Sequence, residues 1–181
     1  ADLVTIERRE WGNFYGHLKA VKENGAVVAS GEAAWPEVVK RVERASQLFK
    51  QIYRIEKFEI GRVNHDIEQL RLTQRRAELA GQATDALKAD LARRKQTLDD
   101  EFGGLQSKLQ GLRNDIGRDT LVAEVMDGKQ VEVKLALVDD VYRANTLTLT
   151  DKLAFYARKL AAFASEEPRE ANTEGGIFPA I

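Results

Sequence analysis

The sequence contains no cysteine, which excludes disulfide bonds and metal sites with cysteine ligands. Its two histidines, His17 and His65, lie far apart, so neither has a second histidine at metal-ligand spacing. His65 and Asp66 with Glu59 and Glu68 could imitate a ligand set, but a solvated helix face is the simpler interpretation. We therefore expect no metal site and no cofactor.

The sequence also lacks a large excess of charge and long apolar runs. The formal net charge is −1, whereas a general nucleic-acid-binding protein carries a strongly basic face. No run reaches the roughly 18 apolar residues that a membrane helix needs. Charged residues make up 31% and aromatic residues 7%, a balance that favours long exposed helices over a thick core.

Motifs of catalysis are absent as well. The four serines lie outside any nucleophile-elbow motif, and Gly12 and Gly16 are not followed by the Gly-Lys-Ser/Thr of a phosphate-binding loop. Acidic clusters such as Asp139-Asp140 are typical of a charged surface. We expect no catalytic residues and a non-enzymatic function.

Two hairpins are predicted, one near each end of the chain. The first strand is Leu3–Ile6, and two further runs, His17–Val21 and Ala26–Ala29, flank Asn24-Gly25, a strong turn pair. The second hairpin joins Leu121–Val125 to Gln130–Leu135 through Asp127-Gly128. We expect the aromatic residues Trp11, Phe14 and Tyr15 to fill a small core under the sheet, with a ligand-stacking surface as the alternative.

Helical periodicity dominates the middle of the chain. The first helix should begin close to Pro36 and end at Gly81. Its apolar stripe changes step near Glu56 and Glu59, which predicts a slipped register or a bend there. Its stripe residues are Val38, Val42, Ala45, Phe49, Ile52, Ile60, Val63, Ile67 and Leu70.

A second long helix should begin after the N-cap Thr84 and end near Gly117. Steps of four and three give it a coiled-coil seam, although Gly103-Gly104 weakens the helix. Because the connection is short, the two helices should pair antiparallel, as a protruding hairpin with arms of roughly 50 to 65 Å. The seam residues are Leu87, Leu91, Leu98, Phe102, Leu105, Leu109, Leu112 and Ile116.

The economical architecture is α+β: one small antiparallel sheet built from both chain ends, with the helical hairpin inserted. We assign residues 1–32 and 118–147 to the sheet, 33–117 to the hairpin, 148–167 to an amphipathic helix and 168–181 to a linker that leads into a membrane segment.

The amphipathic helix opens with a capping-box pattern from Thr148 to Asp151. Its apolar face either packs on the sheet or lies in the membrane interface, with Lys152, Arg158 and Lys159 toward lipid headgroups. The residues of that face are Leu149, Leu153, Tyr156, Leu160 and Phe163.

The predicted tip of the hairpin is mildly basic. Between Glu68 and Leu98 there are seven basic and four acidic residues, a net charge of +3. The tip could attract an anionic partner, or it could be a solvated surface that aids solubility. The candidate partner-binding residues are Arg71, Arg75, Arg76, Arg93, Arg94 and Lys95.

Three segments carry a resemblance to a known family. They are ERREWGNFYGHLKAVKENG, YRIEKFEIGRVNHDIEQLRL and the final REANTEGGIFPAI, which turns apolar at Gly175 to Ile181. The last resembles the opening of the membrane core of PstA, the permease subunit of the bacterial phosphate ABC importer. The other two are similar to the large extra-membrane insert of long PstA forms.

The resemblance implies an excised, non-catalytic domain of an inner-membrane protein, located on the periplasmic side. Its partners would be the rest of the permease, the partner permease subunit and the periplasmic phosphate-binding protein, and its membrane contact would come through flanking helices. Two other functions stay open. One is a periplasmic adaptor hairpin, although the glycine-rich lipoyl-like module that adaptors carry is not found. The other is a small-ligand sensor built under the aromatic residues.

Overall fold

A computed structural model describes residues 3–165 and shows an α+β fold. The proposed linker at 168–181 lies outside these residues. The chain forms two compact units. The first contains the residues up to Gln47 and those from Ile116 onward, and the second runs from Leu48 to Asp115. The strands are β1 Leu3–Arg8, β2 Phe14–Glu23, β3 Ala26–Ser30, β4 Asp119–Glu124, β5 Gln130–Lys134 and β6 Val138–Tyr142; the helices are α1 Ala34–Arg54, α2 Ile60–Leu79, α3 Asp85–Ile116 and α4 Leu149–Ser165.

The first unit contains one antiparallel sheet of strand order β5-β4-β2-β1-β6, with β3 paired to β2. Both predicted turns are present: Asn24 and Gly25 have positive φ angles of 50° and 84°, and Gly128 has a φ angle of 81°. Strand β6 was not predicted, because its sequence VDDVY lacks the strict alternation of apolar and polar residues. It pairs with β1 from Thr5↔Tyr142 to Arg8↔Val138.

The two faces of this sheet differ in chemistry. Val4, Ile6 and Leu18 point to the same face and are buried, where they form an aliphatic core with Val38 and Val42 of α1. A bulge in the β2–β4 pairing between Leu18 and Ala20 shifts the alternation, so that the next buried residue of β2 is Val21. The opposite face carries Thr5, Glu7 and Tyr15, and is largely polar.

The expectation that Trp11, Phe14 and Tyr15 fill the core was wrong for two of the three. Trp11 lies in the β1–β2 loop and is exposed, Tyr15 is exposed on the polar face, and only Phe14 is half-buried. Strand alternation explains the difference, because Tyr15 pairs with Thr5 whereas Phe14 pairs with the buried Ile6. Aliphatic residues supply the core instead.

A buried ion cluster joins α1 to the sheet. The carboxylate of Asp119, whose side chain is 6% exposed, accepts a hydrogen bond of 2.5 Å from Arg41 Nη1 and one of 3.3 Å from Arg118 Nε. Arg41 also pairs with Glu37 at 3.0 Å and Glu23 at 2.9 Å. Partial burial lowers the pKa of Arg41, but hydrogen bonds to Glu37 and Glu23 and the charge of Asp119 raise it overall.

The second unit contains the helical hairpin. Its first helix is interrupted by a π turn at Ile55–Glu59, which confirms the predicted slip of register. The π turn spans the five-residue step between Ile55, which is buried, and Ile60, which is half-buried. Glu56 is thereby exposed, and its Oε1 accepts a hydrogen bond of 2.6 Å from Arg113 Nη2 of α3. The extra residue of the π turn thus makes the apolar side chains of the first helix face the partner helix again.

The ends of the hairpin helices follow the predicted signals. Gly81, with a φ angle of 67°, follows the C-cap Ala80, and the backbone N–H of Leu87 donates 3.3 Å to Thr84 Oγ1. The 32-residue α3 is about 48 Å long and runs through Gly103-Gly104 without a break. An ion pair between Arg62 and Glu101 and the Arg113–Glu56 bond join the first helix of the hairpin to α3 and are consistent with their antiparallel direction.

We expect Gly103→Ala and Gly104→Ala each to raise the free energy of unfolding by about 0.5 to 1 kcal/mol, because alanine is the better helix former. A Cβ atom at either position meets no atom within 4 Å, so no clash offsets the gain. Urea denaturation measures the change. Gly81→Ala is the control: it also meets open space, but its positive φ angle should make it destabilising. Loss of stability in both α3 variants would contradict the expectation.

We expect Asp119→Asn to lower the free energy of unfolding by about 3 kcal/mol, because it removes the anion from a buried pair with Arg41. It also removes the partner of Arg44, whose Nη1 lies 3.5 Å from Asp119 Oδ2. Urea denaturation at pH 7 again gives the value. Asp99→Asn breaks a pair with Lys95 in which both side chains are exposed, and should change stability by about 0.5 kcal/mol or less. Equal effects of the two variants would show that the cluster does not stabilise the fold.

Candidate interaction surfaces

The acids considered for metal binding are already occupied by basic partners. Glu59 pairs with Arg54 at 3.4 Å, Asp66 with Arg62 at 3.4 Å and Glu68 with Arg71 at 2.8 Å. Within residues 3–165, no group of three or more histidine or acidic side chains is arranged to hold a metal ion.

The basic residues of the hairpin tip are exposed, but most are paired locally. Hydrogen bonds from Arg71 lower the pKa of the Glu68 carboxyl. Most cations of the tip are therefore neutralised by nearby carboxylates. Arg76 is exposed and has no ion pair among the described contacts. The pairs are Arg71–Glu68, Arg75–Glu78, Arg93–Asp90, Arg94–Asp90 and Lys95–Asp99.

An open groove of about 430 Å³ lies between α2 and α3, below the tip. Its charged lining residues are Asp66 and Arg94, which are paired with Arg62 and Asp90 respectively. Neither charge is available to select an ion, so the groove offers an amphipathic surface. Its other lining residues are Gln69, Leu70, Thr97 and Leu98.

Helix α4 begins with the predicted capping box. The backbone N–H of Thr148 donates 3.0 Å to Asp151 Oδ2, and the backbone N–H of Asp151 donates 3.2 Å to Thr148 Oγ1. The Thr148 hydroxyl also donates to Asp151 at 2.6 Å, and these hydrogen bonds lower the pKa of Asp151. The start of the helix is thus fixed by its own sequence.

The apolar face of α4 is uncovered. Leu153, Tyr156 and Leu160 are 64%, 69% and 70% exposed, and Leu149 and Phe163 are exposed as well. The expectation that this face packs on the sheet was therefore wrong. The alternative, contact with a membrane interface, stays a prediction.

A neighbouring stripe of α4 faces the sheet instead. The Phe155 ring lies 4.8 Å from the Tyr142 ring, Arg158 Nη2 donates 2.7 Å to Asp140 Oδ2, and Lys159 pairs with the buried Glu7 of β1. The polar face of the sheet explains why this stripe packs against it and the leucine face does not. Carboxylates on the sheet are neutralised by cations, and leucine side chains would leave them without partners. Arg158 and Lys159, which the membrane alternative placed toward lipid headgroups, instead pair with these two acids of the sheet.

The β1–β2 loop displays Trp11 in a strained conformation. Trp11 has a φ angle of 71°, which is rare for a residue with a bulky side chain, and Gly12 follows with 69°. The Arg8 side chain holds both residues, because its Nη2 donates 2.7 Å to the Trp11 carbonyl and its Nε donates 2.9 Å to that of Gly12. The indole is 77% exposed.

The β4–β5 turn displays a second apolar side chain that the sequence analysis did not consider. Met126 is 98% exposed, beside a turn in which the Gly128 N–H donates 2.9 Å to the Val125 carbonyl. It is the only methionine of the chain. In the sequence, its position directly before the strong turn pair Asp127-Gly128 was the feature that indicated an exposed side chain.

No protein-family model matches the chain, and no curated protein or solved structure is significantly similar to it. Within residues 3–165, every helix is too short or too polar to cross a bilayer. The structural basis for a proposed function is therefore the set of surfaces described above.

We expect the double variant Leu153→Ser, Leu160→Ser to leave the free energy of unfolding within about 0.5 kcal/mol of the parent, because both side chains are already exposed. Phe155→Ala should instead loosen α4, because it removes the ring contact with Tyr142. Hydrogen exchange of the α4 amides reports the difference. If the serine variant loosened α4 as much as Phe155→Ala does, the apolar face would have to be buried in solution.

Proposed function

We propose that the chain is a non-catalytic, periplasmic domain of a phosphate ABC transporter permease subunit of the PstA type, and that it acts in docking or assembly. The assignment to phosphate import rests on the resemblance of three sequence segments. The observation that best supports a role in contact is the uncovered apolar face of α4. In a chain that already has an aliphatic core, such a face is most simply explained by a surface that covers it.

The position of α4 in the sequence connects this face with a membrane. The helix is followed, after a charged segment, by the apolar run from Gly175 to Ile181, which resembles the entry to a membrane core. An amphipathic helix in the interface is a common neighbour of such a segment. The domain would then lie close to the bilayer through Leu149, Leu153, Tyr156, Leu160 and Phe163.

The hairpin tip is the proposed contact with the partner permease subunit or the phosphate-binding protein. Arg76 is its best candidate, because it is exposed and its guanidinium is not engaged in an ion pair among the described contacts. The paired arginines on either side can exchange local carboxylates for those of a partner at little cost, because exposed ion pairs are weak.

The sensor alternative is less well supported, because Trp11 and Tyr15 are exposed to solvent rather than enclosed around a ligand. The adaptor alternative shares the hairpin, and it is also an interaction function. The two interaction functions differ in the partner that the tip contacts, which an experiment can identify.

A photo-crosslinking amino acid placed at Gln82, an exposed residue between α2 and α3, tests the proposal in the chain expressed in a bacterium with a phosphate importer. We expect adducts with the partner permease subunit or the phosphate-binding protein, identified by mass spectrometry. We also expect Arg94→Glu in the same chain to reduce these adducts several-fold, because it reverses a tip charge.

Lys108 supplies the control, because it is an exposed cation of α3 far from the tip. Lys108→Glu should leave the adducts unchanged. Adducts with efflux components would favour the adaptor, and adducts with no transport protein would contradict docking through the tip.

A further inference from the structure

Exposed apolar side chains from three separate elements lie at one end of the sheet. Trp11 belongs to the β1–β2 loop, Met126 to the β4–β5 turn and Phe163 to the last turn of α4; they are 77%, 98% and 47% exposed. None belongs to the aliphatic core, and no apolar neighbour within the described residues covers them.

Strand register places the two loops together. The loop that carries Trp11 joins the end of β1 to the start of β2. The pairs Ile6↔Phe14 and Leu3↔His17 show that β1 runs toward the end of the sheet where this loop lies. Glu124, the last residue of β4, pairs with His17, whereas Asp119 pairs with Glu23. Strand β4 therefore runs toward the same end, and its turn presents Met126 there.

Helix α4 runs toward this end as well. Phe155 contacts Tyr142, which pairs with Thr5, whereas Arg158 and Lys159, one turn later, contact Asp140 and Glu7. Each turn of α4 thus moves closer to Arg8 and the Trp11 loop. Leu160 and Phe163 follow in the next turn, so the apolar face of α4 leads to the end that displays Trp11 and Met126.

The loop around Trp11 is built to hold the indole outward. A non-glycine residue with positive φ costs roughly 1 kcal/mol or more and persists only where other contacts hold it. Here the two hydrogen bonds from Arg8 supply those contacts. A solvent-exposed indole gains nothing from this arrangement in the isolated domain, which points to an external surface.

A lipid bilayer fits this surface better than a protein does. Trp is enriched where one end of a side chain is apolar and the other is wet, as at the membrane–water interface. The three side chains are spread over two loops and a helix, and each is exposed to solvent rather than enclosed by its neighbours. The chain also continues from this end of α4 toward the apolar run from Gly175 to Ile181.

Three cations near this end are already paired with carboxylates of the domain. Arg9 pairs with Asp139, and Arg158 and Lys159 pair with Asp140 and Glu7. Insertion of apolar side chains, rather than attraction to anionic headgroups, would then provide the binding free energy. Vesicles of zwitterionic lipid should therefore suffice, with little dependence on salt.

We propose that Trp11, Met126 and the C-terminal half of the α4 apolar face form one bilayer-contacting surface, with Trp11 at the level of the headgroups. The inference extends the proposed membrane-side location from α4 to the sheet. It does not depend on phosphate or on the permease family.

Fluorescence with vesicles of phosphatidylcholine, with and without bromine on the acyl chains, tests this surface. The chain has two tryptophans, Trp11 and Trp35, and Trp35 lies under the guanidinium of Arg143 at 4.4 Å. We expect a blue shift and bromine quenching that disappear in Trp11→Phe and remain in Trp35→Phe. If the second variant fails to fold, the difference between the parent and Trp11→Phe gives the same result.

Substitutions distinguish insertion from general stickiness. We expect Trp11→Ser and Met126→Ser each to weaken vesicle binding about ten-fold, as the loss of one large buried apolar side chain implies. Val27→Ser is the matched control, because Val27 is exposed near the opposite end of β2 and should leave binding unchanged. Equal losses from all three variants, or no binding by the parent, would overturn the proposal.

A second copy of the chain is the competing occupant. Sedimentation without vesicles measures self-association, and a dimer that Trp11→Ser abolishes would replace the bilayer as the explanation. The crosslinking at the hairpin tip is independent of this assay. Vesicle binding without permease adducts would reject docking through the tip and keep this surface, whereas the opposite result would reject only the surface.

Discussion

The sheet unit depends on the carboxylate of Asp119, a buried anion shared by two elements of the fold. It receives Arg41 from α1 and stands at the first position of β4, where its pairing partner is Glu23 of β2. A buried charge without partners would be costly, so the fold must keep α1 seated over this edge of the sheet. Glu23 and Glu37 complete the neutralisation of Arg41. The aliphatic core supplies most of the stabilisation, and this cluster connects α1 to the paired strands β2 and β4.

The polar face of the sheet sets the orientation of α4 by the same logic. Glu7 and Asp140 lie side by side on neighbouring strands and attract Arg158 and Lys159. On a helix of 3.6 residues per turn, that leaves the leucine face rotated by about 125° from the stripe that contacts the sheet. The exposure of an apolar stripe is therefore a consequence of where the acids lie, and it gives the domain a surface that its own core does not use.

The sequence predicted local features well, because they depend on single residues with distinctive conformations. Asn24-Gly25 and Asp127-Gly128 marked both turns, Thr84 and Gly81 marked helix ends, and the change of step near Glu56 and Glu59 marked the slip of register. Features that depend on distant pairing were missed. Strand β6 has weak alternation, and it forms because β1 offers an edge to which it can pair. The direction of the α4 apolar face could not be predicted either, because it depends on Glu7, which lies 152 residues away from Lys159 in the chain.

The candidate surfaces show the same division. The sequence predicted the apolar face of α4 and the basic tip as sets of residues. It did not predict that local ion pairs occupy most of the tip, since pairing depends on rotamers as well as spacing. Trp11 was expected in a core because aromatic residues usually are buried, and its positive φ angle, which turns the loop outward, leaves no clear mark in the sequence. These surfaces are the basis of the interaction function proposed above.

The π turn has a consequence for how the hairpin can vary in length. Beyond it, the seam resumes at Ile60 with steps of three and four, so each further stretch of seven residues repeats the same inward face. Matched insertions or deletions of seven residues in α2 and α3 would keep every apolar residue facing its partner. A change of a single residue would not, unless another turn of this kind absorbed it. The length of the hairpin can therefore change in discrete increments of about 10 Å.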